Sequence, residues 1–430
     1  MSADPALSWG QAQPLRRVIA YGALGLPLAF AALPIYVHAP QLYAGEVGLS
    51  LATVGAVLLL ARALDALTDP LIGALSDHYA HRRLLILLSL PWLALGMLAL
   101  LAPPDGAGAV WLGASVVAVT LGFSLATINY NAWGAEAAEV PADRTRLVAA
   151  REACALLGVV LAAALPTVLE QDTAAGLERL LWVFVPLLVL CAGWTLLAAP
   201  RPDALSDRKA GMVRDLLAAL RHRPFATLLG VFAASGIAAA IPASTVLFFV
   251  ADVLGAESLA GGFLVLYFLA GAAGLPLWVR IAERVGKLRA WLASMLLSVL
   301  VFGWAASLGA GDLFAYGLIC MLSGFALGAD LALPPAMLAD LLARDFGRGQ
   351  ARAGAWFGWW NFITKANLAL AAGISLPLLG WLGYAPGASE GAALSALALV
   401  YAGLPCVAKL AAAALLWHFR HQLDFEGRLR

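Results

Sequence analysis

The stretch Ala61 to Arg83, ARALDALTDPLIGALSDHYAHRR, combines an apolar run typical of a membrane helix with charges that such a helix normally excludes. Asp65 and Asp69 interrupt the apolar run, and a third acid, Asp77, precedes a pair of arginines. A charge at the centre of a bilayer costs about 3 kcal/mol or more, so such a residue usually faces a cavity or a charged partner. The stretch therefore predicts a membrane helix with a functional polar face and a basic cytoplasmic end.

Composition extends this interpretation to the whole chain. Of 430 residues, 62% are hydrophobic and 12% are charged, whereas about a quarter of an ordinary soluble domain is charged. We therefore expect a multi-pass protein of the cell membrane, with the lipid bilayer as a partner. The formal net charge of +1 gives no reason to expect nucleic-acid binding. The four cysteines occur singly, in a spacing that fits neither a disulfide framework nor a zinc site.

Twelve apolar runs are long enough to cross a bilayer, since a spanning helix needs about 20 residues. They lie near 16–38, 51–76, 84–103, 109–134, 147–168, 178–199, 224–250, 258–282, 290–309, 312–338, 354–380 and 394–419. Cytoplasmic loops retain Lys and Arg, and basic residues precede the first run and follow every even-numbered run, whereas only Arg179 falls on the outer side. The sequence predicts an all-α membrane protein with twelve transmembrane helices and both termini in the cytoplasm.

The second half of the chain repeats the pattern of the first. The end of the second run reads LIGALSDHYAHRR and the end of the eighth reads PLWVRIAERVGKLR, so Asp77 and Glu283 occupy matching places ahead of basic clusters. Transporters built from parallel repeats place their substrate site between the halves. We therefore predict two six-helix bundles, 1–200 and 224–430, joined by a cytoplasmic linker, 201–223, that includes an interfacial helix.

Six charged residues lie well inside the predicted spans, away from their ends. They are Arg62, Asp65, Asp69, Asp330, Lys365 and Lys409. Arg62, Asp65 and Asp69 are spaced three and four residues apart, so they share one helix face. Two neighbouring carboxylates resist ionising together, so they either hold a cation or retain a proton. Both states predict a cation site, although a structural role, in which the acids pair with Arg62 and Lys365 to join helices, stays open.

Three stretches carry a resemblance to a known family. They are RALDALTDPLIGALSDHYAHRR (62–83), NYNAWGAEAAEVPADRTRLVAAREACALLG (129–158) and RAGAWFGWWNFITKANLALAAGISLPLLGWLGY (352–384). These stretches resemble the glycoside–pentoside–hexuronide, melibiose permease-like cation symporters of the major facilitator superfamily. The sodium-dependent lysolipid transporters of eukaryotes resemble the same family. The resemblance implies a major facilitator fold and transport by alternating access, with a coupling ion, Na⁺ or H⁺, and no cofactor.

The resemblance also implies roles for the intramembrane charges. Asp65 and Asp69 correspond to the acids that bind the coupling cation, and Lys365 corresponds to a lysine that lies against them. Thr68 stands where the sodium-coupled sugar carriers often have asparagine, and Thr127 is a candidate neighbouring hydroxyl. We expect no metal site beyond one for Na⁺.

On the substrate side the chain departs from the sugar carriers, which have aspartates where this chain has Ala29 and Asn129. The candidate solute-binding residues are Asn129, Tyr130, Trp133, Arg151, Trp360 and Asn361. Trp133 matches the tryptophan on which the family stacks a sugar ring, and Arg151 resembles its substrate-side arginine region. Two alternatives stay open, namely that Trp133 is a packing residue and that Arg151 extends to the membrane interface.

Charged residues at the cytoplasmic helix ends are predicted to form a gate. They are Asp77, Arg82, Arg83, Glu283 and Lys287. In this superfamily such loops close the cytoplasmic side when the carrier faces outward. The alternative is that these charges are simply solvated in loops.

Together these patterns predict a monomeric secondary transporter that couples Na⁺ or H⁺ to symport of a small organic solute such as a sugar or glycoside. An amphiphile such as a lysolipid is the second candidate substrate, because the first helix is apolar and the sugar-carrier acids are missing. A magnesium-dependent membrane enzyme acting on a phosphate-bearing lipid is a remote third candidate. Such an enzyme would need carboxylates near the interface, whereas Asp69 lies roughly two helical turns inside Asp77. We therefore predict that the protein is not an enzyme.

Overall fold

A computed structural model describes residues 13–35, 39–45, 47–79, 81–138, 140–169, 173–201, 212–346, 353–388 and 391–425, and all regular structure in these ranges is helical. The helices are α1 (Leu15–Ala23), α2 (Gly25–Leu33), α3 (Ala39–Gly45), α4 (Leu51–Tyr79), α5 (Arg82–Leu101), α6 (Ala109–Ala137), α7 (Pro141–Leu169), α8 (Thr173–Ala198), α9 (Met212–Arg221), α10 (Arg223–Phe248), α11 (Ala260–Val285), α12 (Lys287–Ala305), α13 (Leu313–Phe346), α14 (Ala353–Trp381), α15 (Gly391–Ala398), α16 (Leu404–His418) and α17 (Arg420–Leu423). Two π-helical segments, Phe249–Val253 and Leu399–Gly403, extend α10 and join α15 to α16.

These helices supply the twelve predicted membrane spans. Ten segments of the described chain are long and apolar enough to cross a bilayer, with α1 and α2 together forming the first and α15 and α16 the last. The other two spans are α4 and α7, each 29 residues long and richer in charge. The prediction of an all-α, multi-pass membrane fold is therefore confirmed.

Some helix bounds differ from the predicted ones. α7 begins at Pro141 and α13 ends at Phe346, several residues beyond the apolar runs on their cytoplasmic sides. The apolar pattern stops at the first charges, whereas the helices continue and hold those charges on a regular backbone. The first predicted span, 16–38, is interrupted at Leu24, and residues 36–38 lie outside the described ranges.

The predicted linker, 201–223, is described only in part, since residues 202–211 lie outside the described ranges. α9 falls within it and packs against both α4 and α14. Leu216 of α9 is buried, and its carbonyl oxygen accepts a hydrogen bond of 3.2 Å from the indole of Trp359. α9 thus contacts a helix from each half of the chain.

Apolar residues from the two halves pack together near the basic helix ends. One cluster joins Ala74 and Ile128 to Trp356 and Phe357. A second joins Ala149 and Leu156 of α7 to Leu275, Val279 and Ala332 of α11 and α13. The halves therefore share a closed, apolar contact on the side that carries the Lys- and Arg-rich loops.

A close backbone contact joins α4 and α14 where they cross. A Cβ atom added to Gly73 would lie 2.1 Å from the carbonyl oxygen of Gly354, and one added to Gly354 would lie 2.4 Å from the carbonyl oxygen of Gly73. A Cβ at Gly358 would lie 2.7 Å from the carbonyl oxygen of Asp69. Small residues let membrane helices approach this closely. The crossing therefore depends on glycine, and it presses α14 against the part of α4 that carries Asp69.

We predict that Gly354→Val separates the halves, because overpacking a tight contact costs about 1–3 kcal/mol. The readout is maleimide labelling of a cysteine introduced at the buried position 332 (A332C), in a background without native cysteines. G354V should accelerate labelling. The matched control is G373V on the same helix, since a Cβ at Gly373 meets nothing within 4 Å. Equal labelling rates in G354V and G373V would show that the glycine crossing does not hold the halves together.

Candidate cation site and cytoplasmic gate

Asp65 and Asp69 of α4 meet Lys365 of α14 inside the protein. The two aspartates are 3% and 0% exposed. The Nζ atom of Lys365 lies 2.6 Å from Oδ2 of Asp65 and 2.7 Å from Oδ2 of Asp69. One ammonium group therefore bridges two carboxylates, and it joins a helix of the first half to a helix of the second.

Ser124 of α6 completes this cluster, and the sequence analysis did not identify it. Its hydroxyl donates to Oδ1 of Asp65 at 2.9 Å and accepts a hydrogen bond of 2.9 Å from Lys365. Its distance in sequence from the acids hid the contact. A signal was present, because Ser124 precedes the predicted hydroxyl residue Thr127 by three positions and so shares its helix face.

Two buried oxygen atoms at or near the cluster lack hydrogen bonds. Among the described residues, Oδ1 of Asp69 and Oγ1 of Thr127 have no hydrogen-bond partner. Buried polar atoms are normally satisfied, so unpartnered ones indicate a proton, an ion or a water that belongs there. Thr68 instead donates its hydroxyl to the carbonyl oxygen of Asp65 at 3.0 Å, and the side chain of Arg62 is exposed.

The net charge of the cluster would be balanced by one additional monovalent cation. Two ionised carboxylates and one ammonium carry a net charge of −1, so one proton or one monovalent ion would neutralise the site. Oxygen ligands suit hard cations. The arrangement can therefore bind H⁺ or Na⁺, and the bound cation would compete with Lys365 for the same two carboxylates.

The predicted solute-binding residues of α6 are turned into the protein. Asn129 is fully buried, and its side-chain oxygen accepts a hydrogen bond of 2.5 Å from Ser76. Trp133 is also fully buried and donates to the carbonyl oxygen of Pro200 at 2.8 Å. The hydroxyl of Tyr130 donates to a backbone carbonyl of α1. In this conformation their polar atoms are bonded to protein, and their solute-binding role stays a prediction.

The other predicted solute-binding residues lie on α7 and α14. Arg151 is 9% exposed and donates to the side chains of Asn131 and Glu152, so it is held inside the bundle in this conformation. Trp360 stacks on Phe232 of α10 with ring centroids 3.8 Å apart. Asn361 lies four residues before Lys365, so the two side chains share one face of α14.

The first half of the candidate cytoplasmic gate is centred on Asp77. Its carboxylate oxygens accept hydrogen bonds of 2.8 Å from the backbone N–H groups of Gly354 and Ala355, in the first turn of α14. A carboxylate is favourable at a helix N-terminus, where the helix dipole and free N–H groups attract negative charge. Arg82, which is 1% exposed, pairs with Asp77 and with Glu136 at 2.8 Å.

The second half of the gate repeats this plan at the ends of α11, α12 and α13. Lys287 pairs with Asp340, which also accepts a hydrogen bond of 3.0 Å from Arg144 of α7. Arg146 pairs with Glu283 at 3.0 Å. Arg82 and Lys287 thus occupy equivalent places, and their acidic partners, Glu136 and Asp340, correspond in the same way. Asp340 was not predicted, although its place in the six-helix repeat matches that of Glu136.

Arg83 differs from the other predicted gate residues. Its guanidinium donates to the carbonyl oxygen of Leu196 and lies over the ring of Trp133, 5.9 Å from the ring centroid. These contacts lie within the first half of the chain. In this conformation Arg83 therefore contacts its own half.

Solved structures share this fold across nearly the whole chain. A bacterial homologue of the iron transporter ferroportin, in an outward-facing state, is 15% identical, with a TM-score of 0.68 over 95% of this chain and 100% of that one. The E. coli fucose:proton symporter is 14% identical, with a TM-score of 0.67 over 94% and 97%. The human organic anion transporter MFSD10 is 20% identical, with a TM-score of 0.61 over 96% and 100%. At these identities the likeness shows the fold.

Sequence comparison supplies the family. No curated protein matches the chain. The profile of the family described as MFS/sugar transport protein matches residues 18–422. That range includes every helix that forms the acid cluster and the gate, and a family of transporters excludes the membrane-enzyme alternative. The chain belongs to the MFS/sugar transport protein family of the major facilitator superfamily.

Proposed function

We propose that this protein is a symporter that couples the movement of one monovalent cation, Na⁺ or H⁺, to the transport of a small organic solute. The observation that carries the proposal is Lys365, which bridges Asp65 and Asp69 across the two halves of the chain. The resemblance of the three quoted sequence stretches to the melibiose permease-like symporters supports the same assignment. The neighbours of known structure include a fucose:proton symporter and an organic anion transporter, so the fold alone does not select the solute.

The proposed coupling is a competition for carboxylates. While Lys365 bridges Asp65 and Asp69, it links α14 to α4. A cation that binds at Oδ1 of Asp69 compensates part of the negative charge of the carboxylates and so weakens the bridge from Lys365. The cation and Lys365 depend on the same carboxylate atoms, so the cation binds with different affinity to conformations with and without the bridge. Such a difference in affinity is what allows a ligand to shift a conformational equilibrium.

The gate supplies the conformational element in this proposal. Asp77 caps the first turn of α14, and Lys365 lies farther along the same helix. A movement of α14 relative to α4 would therefore alter the acid cluster and the gate together. Opening toward the cytoplasm requires that Asp77 release the N-terminus of α14 and that Asp340 release Arg144.

We predict that D69N abolishes uphill transport while the protein still folds, because asparagine preserves the shape of the side chain but cannot ionise. Accumulation of a solute in proteoliposomes, driven by a Na⁺ or pH gradient, should fall by about tenfold or more, within the usual range of coupling energies. D105N, at an exposed outer loop residue, is the matched control and should accumulate solute like the parent. Accumulation by D69N equal to that of D105N would refute the coupling role.

We further predict that K365M binds the coupling cation about tenfold more tightly than the parent, because loss of a nearby positive charge favours cation or proton binding to the carboxylates. The measurement is the thermal midpoint as a function of Na⁺ at fixed pH and of pH at fixed Na⁺, since a bound ligand stabilises the folded state. A response to Na⁺ identifies sodium, and a response to pH alone identifies the proton. R284M, at an exposed residue of α11, is the control. An unchanged response in K365M would contradict competition by Lys365.

A further inference from the structure

A second buried charge pair lies in the C-terminal half, outside the acid cluster and the gate. The Nζ atom of Lys409, on α16, lies 2.5 Å from Oδ2 of Asp330, on α13. Lys409 also donates to the hydroxyl of Ser235, on α10, at 2.8 Å. The indole N–H of Trp291, on α12, donates to Oδ1 of Asp330 at 2.8 Å. Four helices therefore contribute to the position of one carboxylate.

Asp330 is the most accessible member of this group. Its side chain is 16% exposed, against 6% for the side chain of Lys409, while Trp291 is 0% and Ser235 is 3% exposed. The donors occupy part of the carboxylate, which has about four lone-pair positions for hydrogen bonds. The buried donors therefore hold a carboxylate that keeps accepting capacity on its open side.

Residues next to Asp330 on α13 pack against the first half of the chain. Leu327 and Leu331 flank Asp330 on α13, and both pack into the apolar cluster that includes Ala149 and Leu156 of α7. The donors to Asp330 come from helices of the second half. Asp330 therefore lies next to the part of α13 that meets the first half, and a solute crosses between the halves in an alternating-access carrier.

We propose that Asp330 is a solute-binding carboxylate that accepts a hydrogen bond from a hydroxyl group of a neutral solute. Asp330 and Lys409 together carry no net charge, so the pair offers no net attraction to a cation or an anion, whereas a carboxylate with free lone pairs accepts strongly from a hydroxyl. Phe232 lies one helical turn before Ser235 on α10 and stacks on Trp360. The proposal rests on the proposed transport function, and it supplies an acceptor that the first half lacks at Ala29 and Asn129.

The test is ligand-dependent thermal stability of the full chain. The neutral probes are methyl glucoside, methyl galactoside, fucose and sorbitol. Choline, lactate and lysophosphatidylcholine are the charged and amphiphilic comparisons. We expect at least one neutral polyol to stabilise the parent, and D330N/K409M, which removes both charges together, to weaken that binding about ten- to hundredfold, as loss of a charged hydrogen bond does. D252N is the control. It removes another carboxylate of the same half, one that accepts hydrogen bonds from Tyr384 and Gly387, and it should leave the affinity for the polyol unchanged.

A second variant separates ligand binding from structural support. D330E keeps the charge and its pairing with Lys409 but moves the carboxylate by one methylene, so it should fold like the parent and still bind the polyol at least about tenfold more weakly. Parent-like affinity in D330E or in a folded D330N/K409M would overturn the proposal. Stabilisation of the parent by none of the neutral polyols, or by lysophosphatidylcholine alone, would also overturn it.

Thermal stabilisation by a cation distinguishes an error in the role of Asp330 from an error in the proposed transport function. Thermal stabilisation by Na⁺ or by a change of pH is measured without solute, in the parent, D330E and D69N. We expect D330E to keep its stabilisation by the cation and to lose affinity for the polyol. Loss of the cation response in D69N tests the acid cluster independently. A parent that binds polyol through Asp330 but responds to no cation would contradict the symport mechanism alone.

Discussion

The bridge from Lys365 to Asp65 and Asp69 is the interaction on which the rest of the molecule depends. Removing one member of a buried charge group leaves the remainder uncompensated, at a cost of several kcal/mol. The bridge therefore requires α4 and α14 to lie in contact, and glycines at 73, 354 and 358 make that contact close enough. α4 and α14 therefore cross where the charge of Lys365 compensates the charges of the two aspartates.

α14 connects this bridge to the candidate gate, because Lys365 lies near its middle and Asp77 contacts its first turn. Asp77 holds the first turn of α14 through two backbone N–H groups, and the second repeat uses Asp340 to hold Arg144 and Lys287. In the proposed mechanism, opening the cytoplasmic side requires that these buried charges exchange their partners.

Much of this architecture could be predicted from the sequence. Charge in an apolar run, helical spacing and the basic loops predicted the twelve helices and the shared helix face of Asp65 and Asp69, whereas the contact with Lys365 was implied by the family resemblance. Ser124 was missed because its partners are far away in sequence and a serine in an apolar helix usually bonds its own backbone. The burial of Asn129 depends on the rotation of α6 about its axis. That rotation could not be predicted, because nearly every face of α6 carries apolar residues. Helix ends were misplaced because charge marks the edge of the membrane rather than the end of the hydrogen-bonded backbone.

Thermodynamic coupling is reciprocal, so a solute gradient must move the cation if the acid cluster is the coupling site. The most direct measurement is cation flux into proteoliposomes that carry an inward gradient of a polyol that stabilises the protein, with no cation gradient. A pH-sensitive dye reports H⁺, and radioactive sodium reports Na⁺. We expect cation uptake with the parent and none with D69N. Solute entry through the parent without movement of either cation would contradict this expectation.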